Sequence, residues 1–248
     1  MQRLRAAVLA ATICVASVSH ATAQDAPPPP PKALTGSAGA GLSVTSGNSD
    51  TQNLSATTDS VYDPKNGHVM KWNALYLRGK QNGVLAVNRV SAMFRNENSL
   101  SGKLFVFGAV DVLHDTFKGI DYLYAPAAGL GYNALNTDRS HFTVDVGVGG
   151  VIEKDTGFES RASGAITLGE KLVQQLTETT TLKESITALL KMNQFSDSLY
   201  TFQVGVAARV SQRLQLSIDV LDTYKSQPQD PLTKKNDLAL VTSIIAKY

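Results

Sequence analysis

The sequence predicts an all-β protein, a closed antiparallel transmembrane meander β-barrel of about 12 strands over residues 36–248. Three observations predict it. From Gly36 onward apolar and polar residues alternate, the period of a strand whose two faces meet different surroundings. Turn clusters interrupt the alternation roughly every 12–16 residues, wider than in a soluble sandwich and suited to tilted strands with ~9–11 residues in lipid. Beyond the first 23 residues no stretch approaches 18 uninterrupted apolar residues, so helical spans are not expected.

Residues 1–23 read as a secretory signal peptide. Arg3 and Arg5 form its charged start, Ala6 to Val18 its apolar centre and Ala21-Thr22-Ala23 its small-residue cleavage site. Cys14, the single cysteine, lies in the apolar centre and is not set in a lipoprotein processing box, so the mature chain carries no thiol chemistry. Residues 24–35 form a Pro-rich periplasmic linker. Pro27 to Pro31 favour an extended polyproline segment with no backbone donors for a sheet. The formal charge of +2 argues against a nucleic-acid binder. A mean hydropathy of −0.07 suits a barrel whose inner and outer faces offset one another.

Turns are expected at Gly47–Asp50, Asp63–Gly67, Lys80–Gly83, Glu97–Gly102, His114–Gly119, Leu135–Arg139, Glu153–Gly157, Gln174–Glu178, Asn193–Ser198, Ser211–Arg213 and Tyr224–Asn236. With the first strand running outward, the second, fourth, sixth, eighth and tenth of these turns are expected in the periplasm and the others on the outer surface, where only the long last loop can fold over the mouth. The alternation is clearest in three places. Tyr200, Phe202, Val204, Val206 and Ala208 oppose Thr201, Gln203, Gly205, Ala207 and Arg209. Phe142, Val144, Val146 and Val148 oppose Thr143, Asp145, Gly147 and Gly149, and Leu214 to Val220 repeat the scheme. The apolar set is expected to meet lipid and the polar set the lumen, with aromatics such as Tyr62, Trp72, Tyr122 and Tyr132 in interfacial girdles. Residues 170–176 taken alone would also suit a short helix. Thr-rich 179–192 reads as a strand, with Glu184 awkwardly on the face of Ile186 and Ala188.

The final strand places Leu238, Leu240, Thr242, Ile244, Ala246 and Tyr248 on one face. A terminal aromatic there resembles the C-terminal signature of bacterial outer-membrane barrels, and implies handling by the barrel-assembly machinery. The expected location is the outer membrane of a Gram-negative bacterium, in contact with the lipid bilayer and lipopolysaccharide.

In this register the lumen carries Asp59, Asp111, Asp145, Glu159, Arg161, Arg209, Asp219 and Lys247 as candidate pore lining. Paired across strands, such charges form a network that fills the interior. Unpaired, they set the field of a water-filled pore. Catalytic patterns are poor. His141 with Ser140 or Ser163 lacks supporting spacing, His114-Asp115 beside Asp121 reads as a solvated loop rather than a cation site, and no cofactor or metal is expected.

Gly47-Asn48-Ser49-Asp50-Thr51, Gly129-Leu130-Gly131-Tyr132-Asn133 and Lys234-Lys235-Asn236-Asp237 stand in an order that resembles the domain of unknown function 481 family, described as salt-induced outer-membrane proteins. The likeness runs from about Gly36 to Tyr248; the family's usual Gly-Asn-Thr-Asp opening is Gly-Asn-Ser-Asp here. The resemblance implies an outer-membrane barrel linked to osmotic or salt response, and no catalytic residues. The leading reading is therefore a narrow pore, passing ions or small solutes, or a structural envelope component, and not an enzyme. The alternatives are an outer-membrane lipid-modifying enzyme and a soluble periplasmic β-rich binding protein.

Overall fold

The computed structural model describes residues 33–45 and 51–248. The signal peptide, most of the linker and Gly47–Asp50 of the opening motif lie outside the described residues.

The chain forms twelve strands, β1 (Leu34–Thr45), β2 (Thr51–Tyr62), β3 (His68–Gln81), β4 (Val84–Ser99), β5 (Leu104–Asp115), β6 (Ile120–Asn136), β7 (Ser140–Asp155), β8 (Arg161–Gln175), β9 (Thr180–Lys191), β10 (Ser198–Arg209), β11 (Leu214–Lys225) and β12 (Asn236–Lys247). Each pairs antiparallel with its sequence neighbour, and β12 closes on β1, so the sheet has no free edge. Such a barrel satisfies its backbone hydrogen bonds internally, as a hydrocarbon environment demands. One end carries Leu34 and Tyr248 and is called the terminal end; the other is the loop end.

Facing residues share parity around the barrel. Asp59 opposes Ser37 and Asn73, Asp145 opposes Gly131 and Gly169, and Asp219 opposes Gly205 and Val241. Parity breaks only at strand ends beyond bulges, such as Gly79/Lys80 and Leu113/Asp115. Odd-numbered residues face inward, because odd residues of non-adjacent strands touch: Arg95 of β4 reaches Asp145 of β7, and Arg89 of β4 reaches Thr223 of β11. The eight tyrosines and the one tryptophan are all even-numbered strand or strand-end residues, and so face outward. Val148, Leu238, Leu240 and Ile244 stand among them, each more than 60% exposed, as a lipid-facing band requires.

The short turns have local causes. Asp63 accepts from the backbone N–H and Nζ of Lys65, at 2.9 and 2.7 Å, and Lys65 and Gly67 take positive φ to bring β2 into β3. The same lysine hydrogen bond holds the Asp63 carboxyl below the usual carboxylate range. Residues 170–175 lie in β8, so the short-helix alternative falls away: their neighbours in β7 and β9 supply a ladder that local propensity does not reveal.

One expectation needs correction. Apolar residues do not all face lipid. Leu113, Ile120, Leu123, Ala125, Val151 and Ala165 form one buried inner cluster, and Leu77, Leu221 and Val241 another. Ile120 is fully buried because the bulge at its position turns it inward. A barrel of this width still leaves space that side chains must fill, and water is excluded by filling it with apolar atoms.

Candidate functional site

The interior differs between its two ends. At the loop end three acids and three bases form one network. Lys225 Nζ lies 2.6 Å from Glu153 and 2.7 Å from Asp155, Lys191 binds Glu153 and lies 2.9 Å from Asp197, and Arg161 lies 3.6–3.8 Å from Glu153, Asp155 and Asp197. Arg161 is the outermost member, its side chain 41% exposed, whereas Glu153 and Lys225 are nearly inaccessible. In the orientation that satisfies both groups, the carboxamide oxygen of Gln229 accepts from Arg161 Nη1 at 3.1 Å and Nη2 at 2.6 Å.

A second knot lies beside it. Arg89 binds Asp115 at 2.9 Å and donates to the Thr223 hydroxyl at 2.7 Å. Asp115 also caps a single 3-10 turn, accepting from the Phe117 and Lys118 amides. The buried Lys118 ammonium binds Asp237 at 2.9 Å and donates to the carbonyls of Lys234 and Lys235 at 3.2 and 2.7 Å. The β11–β12 loop is thereby tied down at Gln229 and again at Lys234-Lys235. Balanced charges with these hydrogen bonds offset the cost of burying ions. Apolar inner layers containing Leu113, Val151 and Leu221 adjoin these knots.

Toward the terminal end the interior is polar and accessible. Lys71, Glu97, Arg95 and Asp145 form a chain with links of 2.7, 2.8 and 3.1 Å that joins β3, β4 and β7. The Arg95 guanidinium stacks 3.7 Å above the Phe107 ring. Phe105 packs against Gly131, where a Cβ would strike its ring. Lys171, Lys183, Arg209 and Lys247 there, and Asp111, Gly149 and Gln203 nearer the middle of the barrel, face inward and are exposed, so solvent reaches this part of the lumen.

The expected lining residues separate accordingly. Arg161 belongs to the loop-end network and Asp145 to the Arg95 chain. Asp59, Asp111, Arg209 and Lys247 face the lumen with no ion pair among the described residues, and Asp219 accepts from the Ser217 hydroxyl. Glu159 departs from expectation. β8 starts at Arg161, so Glu159 is an exposed residue of the β7–β8 loop. Paired and unpaired charges thus coexist in different parts of one lumen.

Several important residues were assigned to turns by sequence: Glu97, Glu153, Asp155 and Lys225. The strands run further than the turn chemistry suggested. The usable signal was parity, since Glu153 and Asp155 continue the inward series of Asp145, Gly147, Gly149 and Val151.

Among the described residues, the candidate pair His141 and Ser163 is not brought together. Ser163 opposes Val151, ten residues along β7 from His141, or about 33 Å of strand. Ser140 donates instead to Gln174, and His141 Nδ1 lies 2.8 Å from Asn136 Oδ1. His114 and Asp115 point to opposite faces, with His114 Nδ1 2.8 Å from the Asp121 carbonyl oxygen.

The family described as "Protein of unknown function, DUF481" matches residues 38–248. No match to this chain is found among the curated proteins. Among solved structures it resembles the NanC porin, with a TM-score of 0.49 and 13% identity over 86% of this chain and 98% of that one. The KdgM porin in complex with disordered oligogalacturonate gives 0.42 and 7%, over 87% and 98%. The translocator domain of the autotransporter NalP from Neisseria meningitidis gives 0.42 and 12%, over 87% and 86%.

Proposed function

The chain belongs to the DUF481 family, and from that premise we propose that it is a bacterial outer-membrane β-barrel serving as a narrow pore for ions or small solutes, held shut at its loop end. The carrying observation is the asymmetry of the interior. Exposed lumen charges such as Lys171, Lys183, Arg209 and Lys247 stand toward one end, and the interlocked Glu153, Asp155, Arg161, Lys191, Asp197 and Lys225 lie at the other. A purely structural barrel would have no need of solvent-reached, unpaired charge on its inner wall, whereas such charge sets the field of a water-filled pore.

In this reading the signal peptide is cleaved, the even-numbered face meets bilayer and lipopolysaccharide, and the terminal end opens to the periplasm. The last strand engages the assembly machinery. The wide separation of Ser163 and His141 supports a non-enzymatic role.

Planar-bilayer recording of the refolded protein tests the proposal. Brief, discrete conductance steps are expected, longer-lived in Arg161→Gln. Correctly folded protein, verified by its heat-dependent gel mobility, that stays silent as both wild type and variant would overturn it.

A further inference from the structure

We propose that the terminal-end vestibule is a binding surface for small oxyanions, built by Lys183, Arg209 and Lys247. The binding claim stands by itself; the selectivity claim below rests on the pore reading. These residues lie on β9, β10 and β12, all odd-numbered and directed into the lumen, and all exposed there. None has an ion pair or side-chain hydrogen bond among the described residues. The charges that act most on Lys247 are those of Lys183 and Arg209, both cationic, while Asp59 stands two strands away on the same rung, across Ser37.

Nearby acids do not neutralise this wall. Glu97 and Asp145 are held by Lys71 and Arg95. Asp111 lies near Arg95 and Asp145, and Asp59 near Lys171. Asp219 leans over Gly205 in the direction of Lys183, yet takes its hydrogen bond from Ser217 and makes no ion pair. Glu170 and Glu184 occupy even positions and face outward, on the other side of the sheet.

Cations that repel one another within low-dielectric walls focus a positive field, and a mobile anion relieves it. The planar guanidinium of Arg209 offers two parallel N–H donors to an oxyanion, with the two ammonium groups as point charges on either side. The chemical class that fits is a small phosphate or carboxylate. Placed at one mouth of a pore, the same field would favour anion over cation passage.

The test uses the full mature chain, refolded in detergent, with inorganic phosphate as probe. Calorimetric titration is expected to show saturable binding, weakened about tenfold or more in Lys183→Gln/Arg209→Gln/Lys247→Gln and unchanged in Asp111→Asn. In bilayers under a potassium chloride gradient, the reversal potential is expected to report anion preference, lost in the triple variant. No phosphate binding by folded wild type, or equal binding by the triple variant, would overturn the site. Conductance with cation preference would overturn the selectivity claim alone. Silent bilayers with phosphate binding intact would sink the pore reading and leave the site standing.

Discussion

The hydroxyl of Tyr248 lies 2.6 Å from Ser60 Oγ, reaching across Gly36 to a strand that β12 does not pair with. Gly36 and Tyr248 exchange both backbone hydrogen bonds at the seam, at 3.4 and 3.1 Å. A Cβ on Gly36 would sit 2.6 Å from the tyrosine oxygen, so glycine makes the crossing practicable. The aromatic ring therefore clamps the closure of the barrel, where the β1–β12 ladder runs only from Ser37↔Lys247 to Ala40↔Ile244. Tyr248→Phe is expected to cost about 1 kcal/mol, one hydrogen bond, while Tyr248→Ala and Gly36→Val cost more by removing or displacing the ring. Urea unfolding in detergent, followed by the gel shift between folded and unfolded forms, measures the order.

The loop-end network predicts a division between its buried and exposed members. Lys225→Ala strands Asp155 without its nearest base and leaves Glu153 with Lys191 as its only close one, a loss of about 3–5 kcal/mol for a broken buried pair. Arg161→Gln removes a half-exposed partner whose separations are longer, and is expected to cost no more than about 1 kcal/mol. Equilibrium unfolding of the two variants distinguishes them. Equal costs would show that Arg161 is as integral as Lys225.

The β11–β12 loop should be released by Lys118→Met. That change removes the donor to the Lys234 and Lys235 carbonyls and the partner of Asp237, yet keeps the aliphatic bulk. Limited proteolysis at the Lys234-Lys235 pair is expected to accelerate, with the rest of the barrel still protected. A cleavage rate unchanged from wild type would mean that the loop is held without Lys118, by Gln229 on Arg161, Gln227 on Gln194 and the Lys225–Lys235 backbone bond.

Glu170 and Glu184 face outward on neighbouring strands, opposite Ile186 and Leu172. Phe142 also opposes Leu172, so the acids stand close to the aromatic residues of the terminal end, where outward charge is least costly. Glu184→Leu should raise stability by up to about 1 kcal/mol. Chemical unfolding in lipid vesicles is the measurement, since detergent blurs depth.

Gly131 sits beneath the Phe105 ring, which helps hold Phe105 and Phe107 under Arg95. Gly131→Leu is expected to cost about 1–3 kcal/mol by overpacking. If Arg95 shifts with the ring, its pair with Asp145 lengthens and the lumen conductance changes as well.

Much of this was legible in the chain. Alternation marks a barrel, turn clusters mark its hairpins, and the final strand announces itself by six even-numbered outward residues ending at Tyr248. These are local signals, written in residue types a few positions apart. The helix-like text of 170–176 was outvoted by its neighbours in space. Glu153, Asp155 and Lys225 looked like turn residues because charge near Gly and Asn ordinarily means solvent.

What the sequence determined by itself is the periodicity, and with it the closed sheet and, away from bulges and strand ends, the side of it on which a residue stands, because a pleated strand allows only two directions. What only the tertiary structure decided is which inward residues meet. Arg95 finds Asp145 fifty positions away, and Arg89 finds Thr223 across the lumen. Such pairings depend on strand register and on barrel width, which bring distant parts of the chain within a few ångströms, and no local pattern encodes that distance.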